Sequence, residues 1–231
     1  MAVEAVIFDW GGTLTPWHTV DHVALWRDVC AEHFQEHEIS ERTASAIRAA
    51  ETELWIAAER EHRSATMDHV FERAGVTPTA AFLASYFRAW EPHTLTDPEA
   101  PGLLRKLRGH GIRVGVLSNT MWPRHVHQQF FVRDGIDALI DGAVYSSEID
   151  WTKPHPEAFR AAMAAVAVDN PAACVFVGDR PYDDVYGAKQ AGLRAVLVAN
   201  SDVPAFADAE PDAVIRRLAE LEPLIETWRN D

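Results

Sequence analysis

The sequence predicts an α/β protein, in which a parallel sheet has helices on both faces and an all-helical insertion follows the first strand. The first apolar segment, Val3 to Phe8, ends abruptly at a polar turn that contains two glycines. After Pro101, short apolar segments alternate with helical ones. Between these parts, residues 18–92 are rich in Ala, Glu, Arg and His, and their apolar residues have helical spacing.

The first strand is predicted over Val3 to Phe8, because a short continuous apolar run is typical of a strand buried on both faces. The insertion of ~80 residues that follows is far longer than an ordinary crossover. At this point in the chain it would lie over the carboxyl ends of the strands, where α/β sheets bind their ligands. We therefore divide the chain into a core, residues 1–14 and 98–231, and a helical cap, residues 15–97.

Apolar runs and helix-ending residues define the remaining elements. Gly111 and Gly192 follow two of the predicted helices, and Pro156 opens another. Another helix is expected after the S-N-T turn. The other predicted strands are 113–117, 143–145, 173–177 and 195–199, and the other predicted helices are 103–110, 156–166, 183–191 and 212–228.

The composition disfavours several classes of function. Of 231 residues, 48% are hydrophobic, and 21 Lys and Arg against 35 Asp and Glu give a formal net charge of −14. This charge disfavours binding to nucleic acid or anionic membrane surfaces, so we expect neither as a partner. Neither an apolar stretch of the ~18 residues that span a membrane nor a signal peptide is visible, so a cytoplasmic location is expected. Cys30 and Cys174 lie in unlike contexts, which makes a disulfide improbable.

Polar segments stand where the predicted parallel strands end, and such ends share one edge of a sheet. Carboxylates are suitable ligands for Mg²⁺, and a cation and a hydroxyl can bind the remaining oxygens of a phosphoryl group. These segments therefore predict a site for a phosphoryl group and a hard metal ion. They are Asp9 to Thr13, Ser118 with Asn119, Lys153, and Gly178 to Asp184.

The same segments resemble the four motifs of the haloacid dehalogenase-like (HAD) hydrolase superfamily, in order and over essentially the whole chain. The helical insertion is similar to the cap of members with a C1-type cap. The resemblance implies a Rossmann-like core and a hydrolase. The four segments read F-D-W-G-G-T-L, L-S-N-T, K-P-H-P-E-A-F and F-V-G-D-R-P-Y-D-D-V-Y-G-A-K-Q-A-G.

This resemblance implies a nucleophile and a set of metal ligands. Asp9 is implied to be the nucleophile, which forms a covalent aspartyl intermediate. Asp9, Asp179 and the backbone carbonyl of Gly11 are implied to bind Mg²⁺. Asp184 is favoured by spacing to hold the outer shell of the metal, with Asp183 as the alternative.

The resemblance also implies how the phosphoryl group is bound. Ser118 and Lys153 are implied to grip it, and the Lys153 cation keeps the nucleophile ionised. Asn119 is open between turn geometry and substrate contact. The expected substrate-binding residues are Gly12, Thr13, Ser118, Asn119 and Lys153.

Gly11 is a departure from the family pattern, because phosphatases of this superfamily usually have a second Asp there as general acid and base. Loss of such a group typically costs ~10²–10⁴ in rate. His18, His22 or His155 could supply the proton, although surface or packing roles are the simpler interpretation of each. Otherwise the leaving group needs little acid, or the protein is a slow or lapsed enzyme.

The expected function is Mg²⁺-dependent hydrolysis of a small phosphorylated metabolite through an aspartyl-phosphate at Asp9. The alternatives are a non-catalytic phosphate- or metabolite-binding protein and a C–halogen hydrolase. Dehalogenating members usually have a tyrosine at the Gly11 position and do not use the Gly178–Asp179 pair. Phosphonate cleavage is disfavoured because it needs a cap lysine. The chain's three lysines, Lys106, Lys153 and Lys189, all lie outside residues 14–97. The substrate and the oligomeric state stay open.

Overall fold

In residues 2–199 and 202–230, which a computed structural model describes, six parallel strands form one sheet in the order β3-β2-β1-β4-β5-β6. All four residues of β1 are buried, as expected for a strand covered on both faces. Phe8, the last residue of β1, pairs with Val116 on one side and Val177 on the other. The predicted α/β fold is confirmed. The strands are β1 (Ala5–Phe8), β2 (Arg113–Ser118), β3 (Gly142–Tyr145), β4 (Cys174–Gly178), β5 (Arg194–Val198) and β6 (Ala213–Ile215).

Helices cover both faces of the sheet. Side chains alternate between these faces along each strand, so each strand contributes to the packing on both sides. Ala5 and Ile7 of β1 belong to one hydrophobic cluster, and Val6 and Phe8 belong to the other. The cluster that contains Val6 and Phe8 continues into the cap. The helices are α1 (His22–His33), α2 (His37–Glu61), α3 (Met67–Ala74), α4 (Ala80–Trp90), α5 (Ala100–Gly109), α6 (Arg124–Arg133), α7 (Pro156–Ala165), α8 (Gly187–Gln190) and α9 (Leu221–Asn230).

Helices α1 to α4 form a lobe between β1 and α5, within the residues predicted to be the cap. Trp26 of α1 is 1% exposed and stacks on Tyr86 of α4, with ring centroids 4.3 Å apart. The chain enters and leaves this lobe side by side, because Asp97 N donates a hydrogen bond to Leu14 O at 2.8 Å. The domain boundaries at residues 14/15 and 97/98 stay predictions, and this hydrogen bond supports them.

The prediction of one helix over residues 212–228 is wrong. Ala213–Ile215 is the edge strand β6, paired with Val196–Val198 of β5, and α9 begins only at Leu221. The short A-V-I run has strand propensity, and it satisfies backbone groups of β5 that would otherwise form an open edge. The predicted helix over 183–191 is also divided, into a π-helical turn (Pro181–Tyr186) followed by α8.

Two further observations concern the cysteines and the helix lengths. Cys30 and Cys174 are both buried and carry free thiols. Among the described residues, every helix is too short or too polar to cross a bilayer.

Candidate active site

Three carboxylates meet at the carboxyl edge of the sheet. Asp9 follows β1, Asp179 follows β4, and Asp184 lies in the π-helical turn after β4. One oxygen from each side chain lies within 4.8 Å of the others, and all three residues are buried. The sequence predicted that Asp9 and Asp179 would converge, and the structure brings them together.

Lys153 supplies the cation of this cluster. Its Nζ lies 2.8 Å from Asp9 Oδ1 and 2.6 Å from Asp184 Oδ1, and its side chain is almost completely buried. Burial by itself would lower the pKa of Lys153, but the charges of Asp184 and Asp9 outweigh it and raise the pKa above its ordinary value. One ammonium therefore bridges two of the three carboxylates and stays charged.

The carboxylates repel one another despite this cation. Burial, followed by the charges of Asp9 and Asp184, raises the pKa of Asp179 to about 7. Burial also raises the pKa of Asp9, against the opposing effect of Lys153. A second cation between the carboxylates would relieve this repulsion.

Close packing around the carboxylates requires glycine at two positions. Gly12 has a φ of +83°, and a Cβ there would lie 2.5 Å from Asp179 Oδ2. A Cβ at Gly178 would collide with the side chain of Asp184. Thr13 Oγ1 donates a hydrogen bond to Asp179 Oδ1 at 3.3 Å. In the structure, Gly12 and Thr13 thus support the position of Asp179, and their predicted contact with substrate stays a prediction.

Ser118 and Asn119 lie at the carboxyl end of β2. Ser118 is the last residue of that strand and lines the same cavity as Asp9 and Lys153. The Asn119 side chain holds the backbone of Lys153 at two points, since Nδ2 donates to Lys153 O at 2.9 Å and Oδ1 accepts from Lys153 N at 2.8 Å. This clamp positions the lysine. A contact between Asn119 and substrate remains untested.

Position 11 is open. Gly11 is exposed and lines the cavity, and a Cβ built on it meets no heavy atom within 4 Å. Asp183 also lines the cavity, half-buried and 3.8 Å from Arg180, whereas Asp184 belongs to the carboxylate cluster. Burial and the neighbouring Asp184 raise the pKa of Asp183 to about 6. The preference for Asp184 over Asp183 agrees with this geometry.

A cavity of about 400 Å³ lies between the carboxylate cluster and the cap. Its size falls in the range of about 300–1,000 Å³ that is usual for small-molecule sites. The cap contributes both polar and aromatic residues to the wall of this cavity. They include His22, Arg48, Glu51, Trp55, Tyr86 and Trp90.

The three histidines that could replace the missing acid have different surroundings in the structure. His22 lines the cavity. The ring of His18 lies against His93, with centroids 5.6 Å apart. His155 stacks on Trp151 at 3.8 Å, and its Nδ1 accepts a hydrogen bond from Glu157 N at the start of α7. Of the three, His22 alone shares the cavity with Asp9.

Two cavity residues of the cap, Arg48 and Glu51, were not found from the sequence. They lie three residues apart in α2 and form an ion pair of 2.9 Å. In sequence, this spacing is typical of an exposed helix face. Their orientation towards the core depends on packing against α1, which no local pattern reveals.

The family of the chain follows from its similarity to known proteins. A family model described as haloacid dehalogenase-like hydrolase matches residues 3–192. The chain belongs to this family of hydrolases. The predicted superfamily is thereby confirmed, and the match includes all four of the motif segments.

Individual relatives agree with this assignment. A phosphoserine phosphatase of Thermus thermophilus is 31% identical over 161 residues, which are 69% of this chain and 63% of that protein. This chain covers between 40% and 63% of the length of the first three curated relatives it matches. Among solved structures, a HAD phosphatase from Thermococcus onnurineus superposes with a TM-score of 0.69, at 23% identity over 98% of this chain and all of that one. An L-2-haloacid dehalogenase from Xanthobacter autotrophicus gives 0.66, at 21% identity over 97% and 98%. These two likenesses concern the fold.

Proposed function

We propose that the chain is a Mg²⁺-dependent phosphatase that hydrolyses a small phosphorylated metabolite through an aspartyl-phosphate at Asp9. The observation that carries the proposal is the convergence of Asp9, Asp179 and Asp184 around the Lys153 ammonium. The named relatives support the reaction class, since the Thermus protein is called a phosphoserine phosphatase and several others are called glyceraldehyde 3-phosphate phosphatases. The substrates in those names belong to those proteins.

The donor set fits a hard divalent cation. It consists of carboxylate oxygens, which Mg²⁺ prefers, and their burial, followed by their mutual repulsion, raises the pKa of Asp179 to about 7. Asp9 and Asp179 would hold the ion with the carbonyl of Gly11, and Asp184 would support it. When bound, Mg²⁺ would neutralise charge on the phosphoryl oxygens and on the carboxylates.

The first half-reaction is a displacement at phosphorus. A carboxylate oxygen of Asp9 forms the new O–P bond, and the bond from phosphorus to the ester oxygen breaks with its electron pair leaving on that oxygen. Lys153 keeps Asp9 ionised and, with Ser118, binds the oxygens of the transferring group. In the second half-reaction, water attacks the phosphorus and returns Asp9 to its free carboxylate.

This chain departs from its family in the source of the proton for the leaving oxygen. Gly11 has no side chain, so the leaving group takes its proton from solvent or from another cavity residue. Among esters that bind equally well, those whose leaving oxygen is a weak base therefore react fastest at the wild-type site. For poor leaving groups, the missing acid costs ~10²–10⁴ in rate.

Turnover of p-nitrophenyl phosphate tests the proposal. We expect phosphate release with Mg²⁺, no release in EDTA, and none from Asp9→Asn. Phosphate binding without turnover, measured by calorimetry, would instead support a non-catalytic binding protein. Halide release from 2-chloropropionate without added metal would support a dehalogenase.

A further inference from the structure

Glu51 of α2 is a buried carboxylate in the wall of the cavity. It is 5% exposed, and three side-chain nitrogens surround it, two of which donate hydrogen bonds. Trp26 Nε1 lies at 3.2 Å, Arg48 NH1 at 2.9 Å and His22 Nδ1 at 3.8 Å. Burial would raise the pKa of Glu51, but the neighbouring His22 ring, the hydrogen bond from Trp26 and the charge of Arg48 together outweigh it and hold the pKa below its ordinary value. Glu51 is therefore ionised.

All three nitrogens meet the same oxygen, Oε2. Within residues 2–199 and 202–230, no hydrogen bond reaches the other oxygen, Oε1. A carboxylate has capacity for about four hydrogen bonds over its two oxygens. Because Glu51 lines the cavity, Oε1 is the acceptor that a bound molecule can use.

The charge around Glu51 favours a neutral donor over a cationic one. The Arg48 guanidinium already balances the carboxylate at 2.9 Å, and His22 lies on the same side. An ammonium group would gain little from a carboxylate that is already paired with a guanidinium, whereas a hydroxyl needs only a free acceptor.

Aromatic surfaces complete the same cavity. Trp55 and Trp90 are half-buried, and Trp122 is held by a hydrogen bond of 3.1 Å from its Nε1 to Tyr86 OH. All four rings line the cavity. Flat apolar walls with a few convergent polar groups are typical of sites for small organic molecules, and the C–H face of a saturated ring packs well on such walls.

From this arrangement we infer that the substrate is the phosphate monoester of a polyhydroxylated ring, a sugar or a cyclitol, with one ring hydroxyl donating a hydrogen bond to Glu51 Oε1. The inference rests on the proposed phosphatase function. It adds a substrate class and a specificity residue in the cap, far along the chain from the family motifs.

The test compares two substrates of matched ring size, glucose 6-phosphate and cyclohexylmethyl phosphate, which lacks the hydroxyls. We expect kcat/KM of the wild type to favour glucose 6-phosphate by at least about tenfold, the lower range for a hydrogen bond to a charged group. Equal or reversed preference in the wild type would overturn the inference, and this comparison needs no variant to fold.

Glu51→Gln is the decisive variant. Three donors surround Oε2, so the amide oxygen must take that place and the NH₂ group replaces Oε1, which turns the free acceptor into a donor. We expect the preference for glucose 6-phosphate over cyclohexylmethyl phosphate to disappear, mainly through KM. Glu53→Gln is the control, because Glu53 lies on the same helix but is exposed and pairs with Arg73 outside the cavity. An unchanged preference in folded Glu51→Gln would overturn the inference.

Calorimetric binding to Asp9→Asn separates this inference from the proposed function. If glucose 6-phosphate binds more tightly than cyclohexylmethyl phosphate but no phosphate ester is hydrolysed by the wild type, the sugar site stands and the phosphatase proposal fails. If p-nitrophenyl phosphate is hydrolysed without preference between the two ring substrates, the phosphatase proposal stands and the sugar site fails.

Discussion

An aspartate at position 11 should restore the proton donor that an alkyl leaving group requires. Gly11 lies in the cavity with Asp9, outside the positive-φ region, and a Cβ there meets no heavy atom within 4 Å. Gly11→Asp therefore brings neither backbone strain nor a clash. A positioned general acid contributes ~10²–10⁴ in rate. This gain corresponds to about 3–5 kcal/mol of the activation barrier for alkyl phosphates.

The assay compares kcat for p-nitrophenyl phosphate, whose leaving phenolate needs little protonation, with kcat for propyl phosphate. Gly11→Asp should accelerate propyl phosphate strongly and the aryl ester much less. Gly11→Asn fills the same space without a titratable proton and should show no gain. Gly12→Asp should lose activity, because a Cβ at Gly12 would lie 2.5 Å from Asp179 Oδ2. Equal rates for Gly11→Asp and Gly11→Asn, or an equal gain on both esters, would refute the reasoning.

Three further predictions concern the charges of the site and their support. Lys153→Met leaves Asp9 and Asp184 buried without their cation, so turnover should vanish, and urea denaturation should show a loss of about 3–5 kcal/mol in the free energy of unfolding. Because burial and neighbouring charges raise the Asp179 pKa from 3.8 to about 7, the metal-free folded protein retains a proton that the unfolded chain releases, so its free energy of unfolding should fall between about pH 4 and pH 8. Asp179→Asn should reduce that slope in EDTA. Asn119→Ala removes both hydrogen bonds to the Lys153 backbone and should cost about 1–3 kcal/mol in urea denaturation, with a lower kcat.

Each of these predictions has a control. Lys189→Met removes a more exposed lysine paired with Asp212 and should change the free energy of unfolding by less than about 1 kcal/mol. A comparable loss in both lysine variants would contradict the importance of burial. An identical pH slope in wild type and Asp179→Asn would show that other groups carry the proton uptake. Asn119→Asp keeps the acceptor for Lys153 N, so it should lie between Ala and wild type.

The core and its catalytic edge could be predicted because they depend on short, local signals. An apolar run such as Val3 to Phe8 marks a buried strand, and the polar residue after it falls at the carboxyl edge of the sheet. The same signals place Asp9, Ser118 and Asp179 at that edge. The pairing of Lys153 with Asp9 came from the family resemblance, and the ion pair of Lys153 with Asp184 was not predicted, because Lys153 follows a loop and its neighbours are set by the fold.

What could not be predicted depends on packing between distant elements. β6 is three residues long, and its strand character comes from the free edge of β5 beside it. Glu51 stands in the stretch A-A-E-T-E-L-W, which reads as a charged surface helix. Its burial depends on Trp26 of α1, 25 residues earlier, whose Nε1 donates a hydrogen bond to it.

The hydrogen bond from Asp97 N to Leu14 O has an architectural consequence. Both connections of the helical lobe lie side by side at one spot, so the lobe is inserted without interrupting any strand of the sheet. An insertion at this point can change in length and sequence while the edge of the sheet that carries the carboxylates is kept.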